Sequence, residues 1–600
     1  MFRKTKIVCT IGPASDTEET IKKLFEAGMN ASRHNFSHGT HETHKVAMDK
    51  VKKVAAQMGV NYAIILDTKG PEIRTRNFKG GKVMLTEGSV VTVVGGEEFL
   101  GDETRFAVTY KDLAEVLKVG NHILLNDGLV DLEVIAIEGK DVKTVVKNTG
   151  EIGDHKSSNL PGVKTNLPSL TEKDASDLQF AVDNDVDIVA ASFIRKAEDV
   201  LNIRKVLHEA GGSKIHVYSK IENQEGVDNV EEIIKYSDGI MVARGDLGVE
   251  IPIERVPVVQ KRIIDLCNKA GKPVITATQM LDSMVRNPRP TRAEVSDVAN
   301  AIMDGSDAVM LSGETASGKY PVETVKTMAH IAMETEQGID YQKLLREKLE
   351  NQTTTVQSAI SAAVTLTANK LNAKAIIAGT QSGSTARNIA KFKPQATIIA
   401  VTPDKFVARK LALNWGVYPI VSEGYNTTDE LISKTAQAAK DKGYVEDGDI
   451  AVISAGIPIH YSGSTNMMKI QVIGDAILEG SSAEQTTQVV SGVAIVAKSL
   501  QDAVNRVDVG AILIVESLTN DYMPLLSEVG GIVVESGNVA TEISIEAMKR
   551  EIPVVYGAKG AAKKLVDGTM ITLDGKRAIV LSGQTGLTKP WANFFRKFNS

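Results

Sequence analysis

The chain has 600 residues, which at roughly 150 residues per domain is room for about four separate cores. With 42% hydrophobic and 24% charged residues, 17 Pro and a formal charge of −6, it reads as a globular protein suited to small-molecule partners, and disorder, collagen-like repetition and general nucleic-acid binding are excluded. Cys9 and Cys267 are the only cysteines; they form neither a disulfide framework nor a metal knuckle. Without a signal-peptide core or an apolar run of about 18 residues, the expectation is a reducing cytoplasm and no membrane partner.

Short β-branched runs that end in polar residues alternate with helical patterns: 6–10, 30–35, 62–67, 186–192, 215–222, 239–243, 274–278 and 308–311. Eight such runs predict a closed (β/α)8 barrel of the TIM type. Ser15-x-x-Glu18 reads as a capping box and Gly28 as the left-handed terminator of the same helix; Thr291-x-x-Glu294 and Gly305 bracket another. More than a helix separates the third and fourth runs. Val90–Gly96 and Ile123–Gly128 alternate there with glycine turns, which predicts an inserted β domain over the barrel mouth. The expected division is a barrel from 1–70 and 166–338, a β lid from 71–165, an α/β domain from 339–476, and a further α/β module from 485–600. The strands of the third domain are expected at 375–378, 397–401 and 450–454, and the polar stretch 479–485 reads as a linker.

Ligands of such a barrel bind at the C-terminal ends of its strands, where this sequence places Arg33, Asn35, Ser37, Asp67, Thr68, Lys220, Glu222, Asp246, Thr278, Gln279, Ser312 and Glu314. Glu222 and Asp246 follow consecutive strands, so two hard oxygen ligands can share one Mg²⁺ or Mn²⁺. Lys220 stands two residues before Glu222, on the same face of an extended chain, and puts an ammonium beside that metal. Taken singly, each of these is more often a surface residue; their convergence carries the argument. His34, His38, His41 and His44 also cluster, but no thiolate completes a zinc site.

Six segments carry a resemblance: Met29–Gly39, Leu66–Arg74, Ser219–Asn223, Met241–Gly248, Ala277–Met280 and Asn287–Glu294. Together they resemble the pyruvate kinase family over about residues 1–475. The resemblance implies transfer of phosphate from phosphoenolpyruvate to ADP, giving pyruvate and ATP. By similarity Glu222 and Asp246 hold Mg²⁺, Lys220 neutralises the moving phosphoryl group, and Arg33, Ala243, Arg244 and Gly245 meet the substrate. Thr278 corresponds to the position that members use, through water, in protonating the enolate to pyruvate. Asn35, Ser37, Asp67 and Thr68 match the K⁺ ligands, Glu72 agrees with K⁺-dependent members, and Asn35, His38, Arg74 and Lys156 are expected on the nucleotide side. Ser32, His34 and Tyr218 depart from the residues usual at those places.

The loop Thr380, Gln381, Ser382, Gly383, Ser384, Thr385 resembles the family's effector-phosphate loop, which implies activation by a sugar phosphate or AMP. The segment Gly456–Tyr461 lacks the Trp and Arg of bisphosphate-responsive relatives, so a monophosphate is expected. The last module resembles the phosphohistidine domain of phosphoenolpyruvate-using enzymes, yet Thr541 or Glu542 stands where the His belongs, and no His follows His460. A homotetramer is expected from the family alone. Two rival readings are a Mg²⁺-dependent lyase or mutase of pyruvate enolates and a catalytically silent metabolite sensor.

Overall fold

The computed structural model describes residues 2–350, 355–458, 463, 465–474, 476–482, 488–537 and 539–583. Eight parallel strands close into a barrel: β1 (Lys6–Thr10), β2 (Ala31–Asn35), β3 (Ala63–Asp67), β4 (Ile188–Ala191), β5 (His216–Ile221), β6 (Gly239–Ala243), β7 (Val274–Ala277) and β8 (Ala308–Leu311). Neighbours follow chain order, and β1 closes on β8 with Lys6 opposite Ala308 and Cys9 opposite Leu311. The strands β5 and β7 stop before Glu222 and Thr278, because those residues leave the ladder to face the rim.

The barrel interior is filled by Val8, Ala31, Ala63, Ile65, Ile188, Ala190, Tyr218, Met241 and their neighbours. Small residues make room for the Tyr218 ring, and a Cβ on Gly239 would sit 2.6 Å from it. This accommodates the unusual tyrosine. Ser32 and His34 also compensate one another, since both are buried and His34 Nε2 lies 3.2 Å from Ser32 Oγ. The helix Glu18–Ala27 corrects one expectation: its N-cap is Thr17, whose side chain accepts from the Thr20 amide at 3.2 Å, while Ser15 Oγ accepts from Gly12 N in the turn before it. Gly28 ends that helix in the left-handed region at φ +118°, and the Thr291–Glu294 capping box opens the helix Arg292–Met303.

The insert between β3 and β4 is a six-stranded sheet in the order Ser158–Asn159, His122–Leu125, Val130–Glu138, Asp141–Val146, Val90–Gly95, Arg105–Val108, antiparallel except for its last pair. Its own apolar core includes Leu85, Val91, Phe106, Ile123, Leu132 and Ile152. Residues 404–419, though late in sequence, belong to the same compact unit as the barrel. Trp415 N donates to Asp307 Oδ1 at 3.1 Å, Lys6 Nζ to the Val417 carbonyl at 2.6 Å, and Arg409 Nε to Asp187 Oδ1 at 2.7 Å.

A second unit holds the described residues of 355–403 and 420–583. In it Thr397–Thr402, Ala375–Gly379 and Ile450–Gly456 run parallel, with Thr465–Val472 antiparallel beside the last. Beyond them an eight-stranded mixed sheet has the parallel strands Val489–Val496, Ile512–Val515, Gly531–Val534 and Val554–Tyr556 at its centre. Part of the expected linker is strand: Ala476–Glu479 pairs with Ile579–Ser582, and Ser481–Ser482 pairs with Val555 and Tyr556. Backbone hydrogen bonding to the sheet edge outweighs the polar composition. Residues 483–485 of that stretch, and Ile459, His460 and Tyr461, lie outside the described residues. Among the described residues no helix is long and apolar enough to cross a membrane, and both cysteines are free and buried.

Candidate active site

Alternation along β5 sends Tyr218 into the barrel centre and Lys220 to its upper layer. There Lys220 Nζ donates to Asp67 Oδ1 at 3.1 Å and to Ser192 Oγ at 2.8 Å, and stands 2.9 Å from Glu222 Oε1. Asp67, ending β3, takes Arg33 Nε on its other oxygen at 2.6 Å, and Thr10 Oγ1 accepts from Arg33 Nη1 at 3.0 Å. Burial would raise the Asp67 carboxyl, but Arg33 and Lys220 beside it hold it below the usual range. Burial would likewise strip Lys220 of its proton; Asp67 and Glu222 reverse that, so the ammonium is kept charged.

Glu222 is fully buried, and burial pushes its carboxyl up against the pull of Lys220. The Phe193 amide donates to Oε2 at 2.5 Å, whereas Oε1 has the Lys220 ammonium at 2.9 Å and no further donor. A buried carboxylate oxygen short of a donor is the kind of atom a cation satisfies. Asp246 comes from the neighbouring strand, in the first turn of the helix Arg244–Glu250 that follows β6, and its charge acts on both Lys220 and Glu222. Among the described residues no group of three or more His, Cys, Asp and Glu converges. Two carboxylates are therefore a set for an ion that completes its shell with water or substrate oxygens, which fits Mg²⁺ or Mn²⁺.

Thr278 follows β7 with φ +74°, and Gln279 with φ +54°. A β-branched residue in that region is rare and is held only by its surroundings. Glycine at 245 is required here, because a Cβ would lie 2.7 Å from Thr278 Cγ2. The Arg244 guanidinium donates to the carbonyls of Ala277 at 3.1 Å and Thr278 at 2.8 Å, and to Asp297 Oδ1 at 2.7 Å.

A cavity of about 750 Å³ opens above this cluster. Of the residues expected from sequence, Arg33, Asn35, Ser37, His38, Arg74, Lys156, Lys220, Glu222, Arg244, Gly245, Asp246 and Thr278 line it, with Arg74 and Lys156 contributed by the inserted domain. Asp67, Thr68 and Ala243 lie buried and do not line it. Asn35, Ser37, Asp67 and Thr68 offer only oxygen donors, which suits a hard monovalent ion, although Asp67 is already engaged by two cations. Glu72 pairs with Arg74 at 2.5 Å. The histidines take separate partners: His41 lies 2.7 Å from Asp177 Oδ1 and His44 2.7 Å from the His38 carbonyl.

Ser192, Thr10 and Asp297 were not expected and tie the site together. Ser192 ends the fourth apolar run and was legible as a rim hydroxyl; its Oγ donates to the Thr68 carbonyl at 2.6 Å while accepting from Lys220. Thr10, which ends the first run, was legible in the same way; nothing in the local sequence marks Asp297. In the second unit, the expected phosphate loop folds into a turn where Gly383 N donates to Thr380 Oγ1 at 3.0 Å, Ser382 Oγ lies 3.2 Å from Ser384 Oγ, and Thr385 Oγ1 lies 2.8 Å from Thr465 Oγ1. In the last module Thr541 opens the helix Thr541–Lys549, and Glu542 accepts a hydrogen bond from Asn520.

An eight-stranded parallel barrel whose C-terminal rim sets two carboxylates, a buried ammonium and a guanidinium in one cavity with Arg74 and Lys156 of the inserted domain defines a barrel enzyme shaped for an anionic substrate and a metal. Family models described as the pyruvate kinase barrel domain, the pyruvate kinase alpha/beta domain and the PEP-utilising enzyme mobile domain match residues 2–325, 358–471 and 507–578. The chain is 49% identical over 585 residues to a pyruvate kinase of Staphylococcus haemolyticus, covering 97% of this chain and 99% of that protein. It is 48% identical over 584 residues to one of Staphylococcus aureus, with 97% and 99% covered. A Clostridium acetobutylicum pyruvate kinase is 58% identical over 472 residues, which is all of that protein and 79% of this chain. The chain belongs to the pyruvate kinase family.

Proposed function

We propose that this chain transfers the phosphoryl group of phosphoenolpyruvate to ADP, in glycolysis. The enol P–O bond breaks, an oxygen of the ADP terminal phosphate takes the phosphorus, and the enolate left behind gains a proton at C3 to become pyruvate. The observation that carries this reading is the charge-paired Lys220 between Asp67 and Glu222, at the floor of the cavity that Arg74 and Lys156 wall from the other side. Two polyanions meet only if fixed cations offset their repulsion, and in phosphoryl transfer such positioning and charge supply most of the catalysis.

Arg33, oriented by Asp67 and Thr10, binds phosphate; Lys220 stabilises charge spreading onto the equatorial oxygens; Arg74 and Lys156 hold the ADP phosphates with Asn35 and His38 nearby. Thr278, which lines the same cavity, feeds the proton to C3 through water. Mg²⁺ or Mn²⁺ held by Glu222 and Asp246 would supply Lewis-acid neutralisation of the substrate oxygens. Asn35, Ser37, Asp67 and Thr68 are assigned to K⁺. The loop 380–385 is assigned to a monophosphate effector, supported by its clustered hydroxyls, and the working form to a cytoplasmic homotetramer, supported by the family resemblance alone. Domain limits near 70, 165, 338 and 476 follow the same reading. Pyruvate formation from phosphoenolpyruvate that requires ADP tests it; formation without ADP, or none, rejects it and favours the lyase or sensor.

A further inference from the structure

We propose that Asp297, acting through Arg244, is a positioning residue for Thr278. Every donor direction of the Arg244 guanidinium is occupied: Nε meets the Ala277 carbonyl at 3.1 Å, Nη2 meets the Thr278 carbonyl at 2.8 Å and Met280 Sδ at 2.9 Å, and Nη1 meets Asp297 Oδ1 at 2.7 Å and Gln260 Oε1 at 3.4 Å. The side chain therefore faces the backbone of the β7 end and leaves no donor for a substrate. What it grips is the pair of carbonyls that straddles the entry to the left-handed conformation at Thr278 and Gln279.

A threonine at φ +74° persists only where its surroundings over-determine it. Two contacts do so here: the guanidinium fixes the carbonyls, and the Gly245 backbone, with no Cβ, receives Thr278 Cγ2. Asp297, on the helix Arg292–Met303, does not line the cavity. It acts by fixing the fork geometry of the guanidinium, since a planar cation paired with a carboxylate has far fewer orientations than an unpaired one. The chain Asp297, Arg244, Thr278 thus links an outer helix to the hydroxyl that delivers the C3 proton.

This rests on the functional reading above, and the experiment separates the two. Asp297→Asn keeps the shape and removes the charge; Asp297→Glu keeps the charge. Because a displacement of about 1 Å at a reacting group costs about 10²-fold, Asp297→Asn is expected to lower kcat by about that factor while KM for phosphoenolpyruvate stays within about threefold. Proton delivery then limits turnover, so the solvent deuterium isotope effect on kcat rises above that of the wild type, and Asp297→Glu recovers most of the rate. Thermal melting checks that both variants fold, which the half-exposed position of Asp297 favours. Unchanged kcat, a parallel loss in kcat and affinity without a larger isotope effect, or failure of Asp297→Glu to recover activity in a folded protein overturns the inference. Wild-type protein that forms no pyruvate rejects the functional reading itself, and this inference with it.

Discussion

Replacing Lys220 by Met removes one positive charge and keeps most of the apolar stem. In the structure Nζ is held by Asp67, Glu222 and Ser192 at 3.1, 2.9 and 2.8 Å. A unit charge about 4 Å from the migrating negative charge is worth about 4 kcal/mol at an effective dielectric constant of about 20. That converts to a loss of about 10³-fold in kcat. Binding of phosphoenolpyruvate is expected to change much less, because Arg33 retains both Asp67 and Thr10 as supports. Removing one partner of a buried pair also costs about 3–5 kcal/mol of folding stability, so melting has to be followed beside the steady-state rate of pyruvate formation. A folded Lys220→Met protein that turns over within about tenfold of wild type refutes the role given to this ammonium. A metabolite sensor, unlike an enzyme, would keep its function in this variant.

Three other perturbations have definite outcomes. Arg409→Ala leaves Asp187 buried without its ion pair: burial already pushes that carboxyl up to about 6 against the pull of Arg409. A raised carboxyl pKa favours the folded state at low pH, and the benefit is lost as pH rises from about 4 through the folded value. The variant's deficit in urea stability is therefore expected to reach about 3–5 kcal/mol at pH 8 and to shrink at pH 5; an equal deficit at both pH values contradicts the burial argument. Ser32→Ala with His34→Val removes a buried hydrogen-bonded pair together with His34 Nδ1, which has no partner. This is expected to be neutral or stabilising by about 1–3 kcal/mol, and a melting temperature lowered by several degrees counts against it. Ser382→Ala with Ser384→Ala is expected to abolish any shift of the rate-versus-substrate curve by sugar monophosphates or AMP while sparing the unstimulated rate. Persistence of that shift removes the effector assignment from this loop.

The barrel was legible because its eight strands are buried on both faces and end in polar residues, so apolar runs and rim residues fall at fixed places along the chain. The insert was legible from the length between the third and fourth runs and from the alternating strands with glycine turns inside it. The Ser15 cap failed because Ser15 and Thr17 both precede a helical pattern, and only the turn at Gly12 decides between them. The linker failed at Ser481–Ser482 because edge pairing with Val555 and Tyr556 is a long-range event that composition does not carry. At the site, Lys220, Glu222 and Asp246 were readable from strand order. The engagement of Asp67 by both Arg33 and Lys220, and the reach of Asp297 across 53 positions to Arg244, were not. Nor was the packing of residues 404–419 with the barrel, since their sequence continues the second α/β pattern.

The most direct test is a continuous assay of pyruvate released from phosphoenolpyruvate, with ADP, the divalent cation and K⁺ withheld one at a time. The expected result is full activity only in the complete mixture, no turnover without ADP or without the divalent ion, and a rate lowered at least tenfold, on the order of the loss of one fixed cation contact, when K⁺ is replaced by a large organic cation. Undiminished turnover without the divalent ion would contradict the assignment of Glu222 and Asp246, and with it the account of how this barrel moves a phosphoryl group.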